Sequence, residues 1–184
     1  ILIPISIAQA SFIDTEAETA VIIDATTGKI LFEKEMNKKT FPASMTKIMT
    51  TLIVFEKLSN ETLSLDDKFL VSEKAWRERE GSSMFVEVDK EIRVEDLLRG
   101  IIVQSGNDAC IVIAENIAGS EEAFAIIMTA KAKELGMLNT NFTNSTGMHS
   151  NDNYSTAYDI AILSQYLINE FPEYYDLFAE TEFE

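Results

Sequence analysis

The stretch Phe41-Pro42-Ala43-Ser44-Met45-Thr46-Lys47-Ile48-Met49-Thr50, continuing through Leu52, Ile53, Val54 and Phe55 to Leu58, places the tightest limit on how this chain can fold. It reads as a helix entered at Pro42 and Ala43, with an apolar body that belongs inside a core. Ser44 and Lys47 stand three residues apart, so a helix puts them on one face, about one turn apart. A hydroxyl beside an amine at the N-terminal end of a buried helix is one way to make serine a nucleophile without histidine. Met45, Ile48 and Met49 surround Lys47, and apolar neighbours and the positive helix end both disfavour its charged form. A lysine that extends to water would use the same letters. A random chain of this length also holds about one Ser-x-x-Lys at average composition.

Composition narrows the chemistry around that helix. The 184 residues suit one domain, or a large part of one. Net charge is −16, from 31 acidic and 15 basic residues, which argues against nucleic acid and against electrostatic adhesion to anionic lipid. Cys110 is the single cysteine and His149 the single histidine. A Ser-His-Asp triad would therefore need His149, and a His/Cys metal site has almost no ligands to draw on. No metal or organic cofactor is expected.

Residues 1–10 are apolar and end in Ala8-Gln9-Ala10, a small-x-small pattern expected of a signal-peptide remnant, with residues 11–184 forming the domain. An N-terminal core strand is the alternative. Glu18 to Asp24 and Ile30-Leu31-Phe32, around Thr26-Thr27-Gly28-Lys29, predict an antiparallel hairpin. The Ser44 helix lasts to about Ser59. Phe69-Leu70-Val71 predicts a short strand, Ser72 a cap for a helix through Trp76, and 77–83 a mobile or rim-forming loop. A helix is expected from Val94 to Val103, with Glu95 and Asp96 in its first turn. A second, capped by Asn107 or Asp108, runs to Ala118 and closes at Gly119. Ser120 begins another, ending at Gly136, and Thr156 with Asp159 opens one that reaches about Asn169 before Pro172. Thr181 to Glu184 reads as the start of a further extended segment, so the chain is expected to be incomplete at its C-terminus.

Between two apolar helices, Ser105-Gly106-Asn107 makes a sharp polar break that can point a hydroxyl and a carboxamide into one cleft. Plain capping would use the same residue types. Ser-x-x-Lys followed by a Ser-x-Asn element is two-thirds of the set shared by β-lactamases and penicillin-binding proteins. Around both, Gly81-Ser82-Ser83-Met84-Phe85, Leu98-Arg99-Gly100, Gln104-Ser105-Gly106-Asn107-Asp108-Ala109-Cys110, Asn141 to Met148 and Ser155-Thr156-Ala157-Tyr158-Asp159 closely resemble the serine D-alanyl-D-alanine carboxypeptidases, which are low-molecular-weight penicillin-binding proteins.

That resemblance implies an α/β (α+β) domain of the β-lactamase/transpeptidase type, an antiparallel sheet flanked by helices, with its C-terminal strands missing from this chain. It implies that Ser44 attacks the D-Ala-D-Ala peptide bond and Lys47 takes its proton. Ser105 would relay a proton to the leaving D-alanine, and Asn107 would orient the substrate amide and help hold Lys47. The Ser44 N–H would be one oxyanion donor. The implied partners are peptidoglycan pentapeptide stems and β-lactam antibiotics acting as covalent inhibitors, outside the cytoplasmic membrane. Peripheral membrane association through a region beyond residue 184 is a further expectation. The family's Lys-Thr-Gly motif is absent, since Lys133 is the last lysine. The alternatives are a non-catalytic cell-wall-binding relative or a serine β-lactamase. For the latter, Glu134-Leu135-Gly136-Met137-Leu138-Asn139 has one residue too many for the Glu-x-x-Leu-Asn element, and Gly136 reads better as a helix C-cap.

Overall fold

The structure is a computed structural model that describes residues 13–78 and 80–182. The signal-peptide remnant expected at 1–10, and residues 183–184 of the final extended segment, lie outside the described residues. Strands β1 (Ala20–Ile23) and β2 (Ile30–Lys34) pair antiparallel, Ile22 opposite Phe32, through a turn in which Gly28 takes φ +71°. A 3-10 turn, Ala43–Met45, leads directly into α1 (Thr46–Ser59). Next come β3 (Lys68–Leu70), α2 (Glu73–Arg77), β4 (Glu91–Arg93), α3 (Val94–Ile102), α4 (Asn107–Ala118), α5 (Glu121–Glu134), α6 (Ala157–Glu170) and α7 (Pro172–Tyr175). A last 3-10 turn covers Asp176–Ala179.

Helix α1 is the centre of the molecule. It packs against α3, α4, α5 and α6, and Met49, Leu52, Val54 and Phe55 are fully buried. Burial on so many sides explains why its sequence is apolar almost all round rather than striped. Helix α4 is its partner in the core, with every residue from Asn107 to Ala114 buried. Capping follows the local letters. Ser72, Ser120 and Thr156 each accept from the backbone N–H three residues on, at 3.0, 3.1 and 3.0 Å. Gly119 closes α4 at φ +80°.

One local expectation changes, and two elements are added. The N-cap of α4 is Gly106, with no side-chain cap, because the Asp108 carboxylate is used across the fold instead. Strand β4 pairs antiparallel with β3, Phe69 opposite Ile92; at three residues with charged ends it carries no alternating signature. Pro172, which α6 stops short of, starts α7 at the first-turn position where its missing N–H costs nothing.

Candidate active site

The two ends of the site are set by backbone turns of the same unusual kind. Ala43, just before Ser44, has φ +48°, and Ser105 has φ +55°. Left-handed backbone at residues with a Cβ is costly and persists where surrounding structure imposes it. At Ala43 that constraint is Gly147, packed against the Ala43 carbonyl. At Ser105 it is the tight passage from α3 to α4, closed by Gly106 N–H donating to the Gly100 carbonyl at 2.9 Å.

These turns bring Ser44 and Ser105 to one cleft of about 120 Å3. Its polar lining is Ser44, Lys47, Thr51 and Ser105, and its apolar lining is Ile48, Ile101, Ile102 and Phe178. Lys47 Nζ stands 3.3 Å from Ser44 Oγ, within reach for proton exchange. A second Nζ–H donates to the Thr146 carbonyl at 2.6 Å. One turn further on, Thr50 Oγ1 donates to the Ser145 carbonyl at 2.7 Å, so two successive carbonyls hold two successive turns of α1. Only 5% of Lys47 is exposed. Burial, which penalises the ammonium, pulls its pKa below the ordinary lysine value. Behind it lies Cys110, fully buried, whose thiol is pushed up to about 12 by burial. It is therefore a neutral core side chain rather than a reactive thiolate.

The loop that carries those carbonyls is built by its own side chains. Asn144 Oδ1 accepts from Gly147 N–H at 2.7 Å, and its Nδ2 donates to the Met148 carbonyl at 3.0 Å. From the other side the Glu121 carboxylate accepts from Ser145 N–H and Oγ, and pairs with Lys74 at 3.2 Å. His149, exposed, meets Phe41 edge-on at 5.1 Å. Gly136, at φ +86°, follows the end of α5, where Met137 N–H returns to the Ala132 carbonyl, which is C-cap geometry.

Asn107 is buried beside this cleft but lies outside the set of side chains that line it. Its Nδ2 donates to the Glu80 carbonyl at 2.8 Å and lies 3.5 Å from Met148 Sδ. The hydrogen bonds recorded among the described residues do not join it to Lys47. Asn107 thus ties the 80–86 loop to the 144–148 loop.

Asp108 is the residue beside the site whose long-range contacts sequence reasoning passed over. Its carboxylate, in a residue only 1% exposed, accepts four hydrogen bonds. They come from Ser83 Oγ at 2.6 Å, Met84 N–H at 3.0 Å, Val86 N–H at 3.0 Å and Ala109 N–H at 2.9 Å. With Asn107 N–H on the Ser82 carbonyl at 2.8 Å, the end of the segment expected to be mobile or rim-forming is fastened to the start of α4. The signal was present as the acid next to Asn107, but it reads locally as a cap. Asp108→Asn is expected to cost about 1–3 kcal/mol, because an amide must turn N–H toward donors. The melting temperature and the rate of proteolytic cleavage within 80–86 would show it; a variant as stable and as resistant as wild type would refute it.

Among the described residues no group of three or more His, Cys, Asp or Glu side chains is placed to hold a metal ion. The geometry places a serine hydroxyl beside a buried amine, with a second hydroxyl across a small cleft.

The fold is shared with proteins of known structure. The structure matches that of the carboxypeptidase DacD from Francisella tularensis with TM-score 0.93 and 38% identity, covering 97% of this chain and 43% of that one. It matches penicillin binding protein 5 from Haemophilus influenzae with TM-score 0.92 and 34% identity, over 95% and 52%. The fold is therefore that of the penicillin-binding proteins. By sequence, the D-alanyl-D-alanine carboxypeptidase DacF of Bacillus subtilis is 46% identical over 153 residues, 83% of this chain and 39% of that protein. DacC of Escherichia coli is 39% identical over 173 residues, 91% of this chain and 43% of that protein. The D-alanyl-D-alanine carboxypeptidase (peptidase S11) family model matches residues 6–184, and the chain belongs to that family. It spans about two-fifths of the length of these curated relatives.

Proposed function

We propose that the intact protein is a serine-type D-Ala-D-Ala carboxypeptidase that trims peptidoglycan stem peptides outside the cytoplasmic membrane. The observation that carries the reading is the Lys47 amine, buried and 3.3 Å from Ser44 Oγ, in the cleft that Ser105 completes. In its neutral form that amine has two N–H groups and one lone pair. The Thr146 carbonyl takes one N–H, which leaves the lone pair free to receive the Ser44 proton.

The Ser44 oxygen then bonds to the carbonyl carbon between the two D-alanines. Negative charge on the former carbonyl oxygen falls near the Ser44 N–H, at the start of the turn where backbone donors have no helical partner. Collapse breaks the C–N bond, and the proton held by Lys47 passes through Ser105 Oγ to the leaving amine. Water, deprotonated by the same amine, hydrolyses the ester and frees Ser44. Asn107, held on Glu80 and Met148, orients the substrate amide from the edge of the cleft.

β-Lactams would acylate Ser44 by the same attack, with the ring amide in place of the dipeptide. Penicillin-binding protein D2 of Listeria monocytogenes, 29% identical and matched with TM-score 0.74, is known in an ampicillin-bound form. No helix among the described residues is long and apolar enough to cross a membrane, so the proposed location rests on the substrate. The test is labelling of the intact protein with a fluorescent penicillin, together with release of D-alanine from a D-Ala-D-Ala peptide. Both are expected in wild type and neither in Ser44→Ala. Equal labelling of the two would remove Ser44 from its role.

A further inference from the structure

The segment after α6 has no assigned part in the chemistry, yet it reaches the cleft. Phe171 and Tyr174 pack on the core ring of Phe55, at centroid distances of 6.1 and 5.0 Å. Leu177 also packs against the core. Phe178, one residue on, instead lines the cleft with Ser105, Ile101 and Ile102 and stays 37% exposed. Its ring is backed by Tyr175 at 5.6 Å.

The position of that ring is fixed from two sides. Arg99 Nε donates to Glu180 Oε2 at 2.8 Å, two residues past Phe178, and Arg99 also pairs with Glu95 at 2.6 Å. Arg99 lies on α3, which also supplies Ile101 and Ile102 to the cleft. One arginine thus fastens the turn carrying Phe178 to the helix forming the adjoining wall. Two shared partners and partial burial make such a pair more restraining than an isolated surface ion pair.

We infer that Phe178, held by Arg99, is a specificity-determining wall that limits the residue seated beside Ser105 to the size of alanine. This rests on the carboxypeptidase reading, in which Ser105 faces the leaving amino acid. Phe178, Ile101 and Ile102 make the side of this small cleft next to Ser105 apolar, which suits a methyl group and sets the aromatic ring in the path of a longer side chain. Apolar walls discriminate by what they exclude, and removal of an aromatic ring adds more room than the one or two methylenes that usually separate competing substrates.

The experiment compares kcat/KM of the intact protein for two peptides identical except for ending in D-Ala-D-Ala or D-Ala-D-Leu. Wild type should favour the first. Phe178→Ala should reduce that preference by about 10-fold or more, the discrimination typical of small differences in an apolar pocket. Arg99→Gln should move it in the same direction by freeing the turn. Fluorescent penicillin labelling reports that the site is still assembled. Phe178→Leu serves as the measuring variant if the alanine variant fails to fold. An unchanged preference in a labelled Phe178 variant overturns the proposal and leaves the carboxypeptidase reading intact. Absence of D-alanine release by labelled wild type overturns both.

Discussion

Lys47→Met is expected to cost acylation almost as much as loss of Ser44 itself, about 10²–10⁴-fold in rate, the usual contribution of a positioned base. Methionine fits the same space without an amine, so the fold is retained and the nucleophile stays in place. Stopped-flow measurement of penicillin acylation, beside a thermal melt of the same sample, separates lost chemistry from lost structure. The wild-type rate should rise with pH and level off at a midpoint below that of an ordinary lysine. Only the free amine accepts the proton, and burial lowers the pH at which it becomes free. A limb at the ordinary lysine position, or an unchanged limb in Lys47→Met, would remove Lys47 from the base role.

The same shift predicts the pH dependence of stability. Folding penalises the ammonium form of Lys47, so the penalty is full below the folded pKa. It fades as pH rises from there toward the unfolded value and is gone above it. The stability difference between Lys47→Met and wild type should therefore move in the variant's favour as pH falls through that window. Urea unfolding at several pH values would reveal the trend, and the opposite slope would contradict a lowered pKa.

Gly147→Ala is the second large effect. A Cβ at that position would lie 1.9 Å from the Ala43 carbonyl oxygen and 2.5 Å from its carbon, and Gly147 has φ +82°. Those are backbone atoms, so no side-chain rotation relieves the clash. Either the turn that presents Ser44 moves or the 144–148 loop opens and takes the Thr146 carbonyl from Lys47. A shift of about 1 Å in a reacting group is worth on the order of 10²-fold in rate. Overpacking adds about 1–3 kcal/mol of instability.

Gly119→Ala and Gly136→Ala are the matched controls. Both positions have positive φ, +80° and +86°, and nothing within 4 Å of an added Cβ. They should pay only backbone strain, about 1–2 kcal/mol, with acylation unaffected. Normal acylation by Gly147→Ala would show that the close approach of Ala43 and Gly147 does not set Ser44.

Much of this arrangement is written in local sequence. The three-residue spacing of Ser44 and Lys47 places them on one turn. Ser72, Ser120 and Thr156 are caps because their oxygens reach an N–H three residues ahead, and Gly119 is a helix end because it tolerates positive φ. The family text around Ser44 and Ser105 led to the fold and to the set of candidate residues. All of these depend on neighbours a few residues away.

Tertiary structure decided what those residues experience. Lys47 takes its carbonyl partner 99 residues along the chain, and its burial comes from the helices packed around α1. Asp108 looks like a cap and serves as the anchor of a loop 22–25 residues before it. Asn107 spends its amide N–H on the Glu80 carbonyl, and Phe178 arrives at the cleft from beyond α6. Local pattern determines helix faces and ends; burial and long-range hydrogen bonds exist only once distant segments have closed on one another. The Ser44–Lys47 pair was therefore legible in the sequence as a possibility of chemistry, while the buried, oriented amine proposed as its base belongs to the fold.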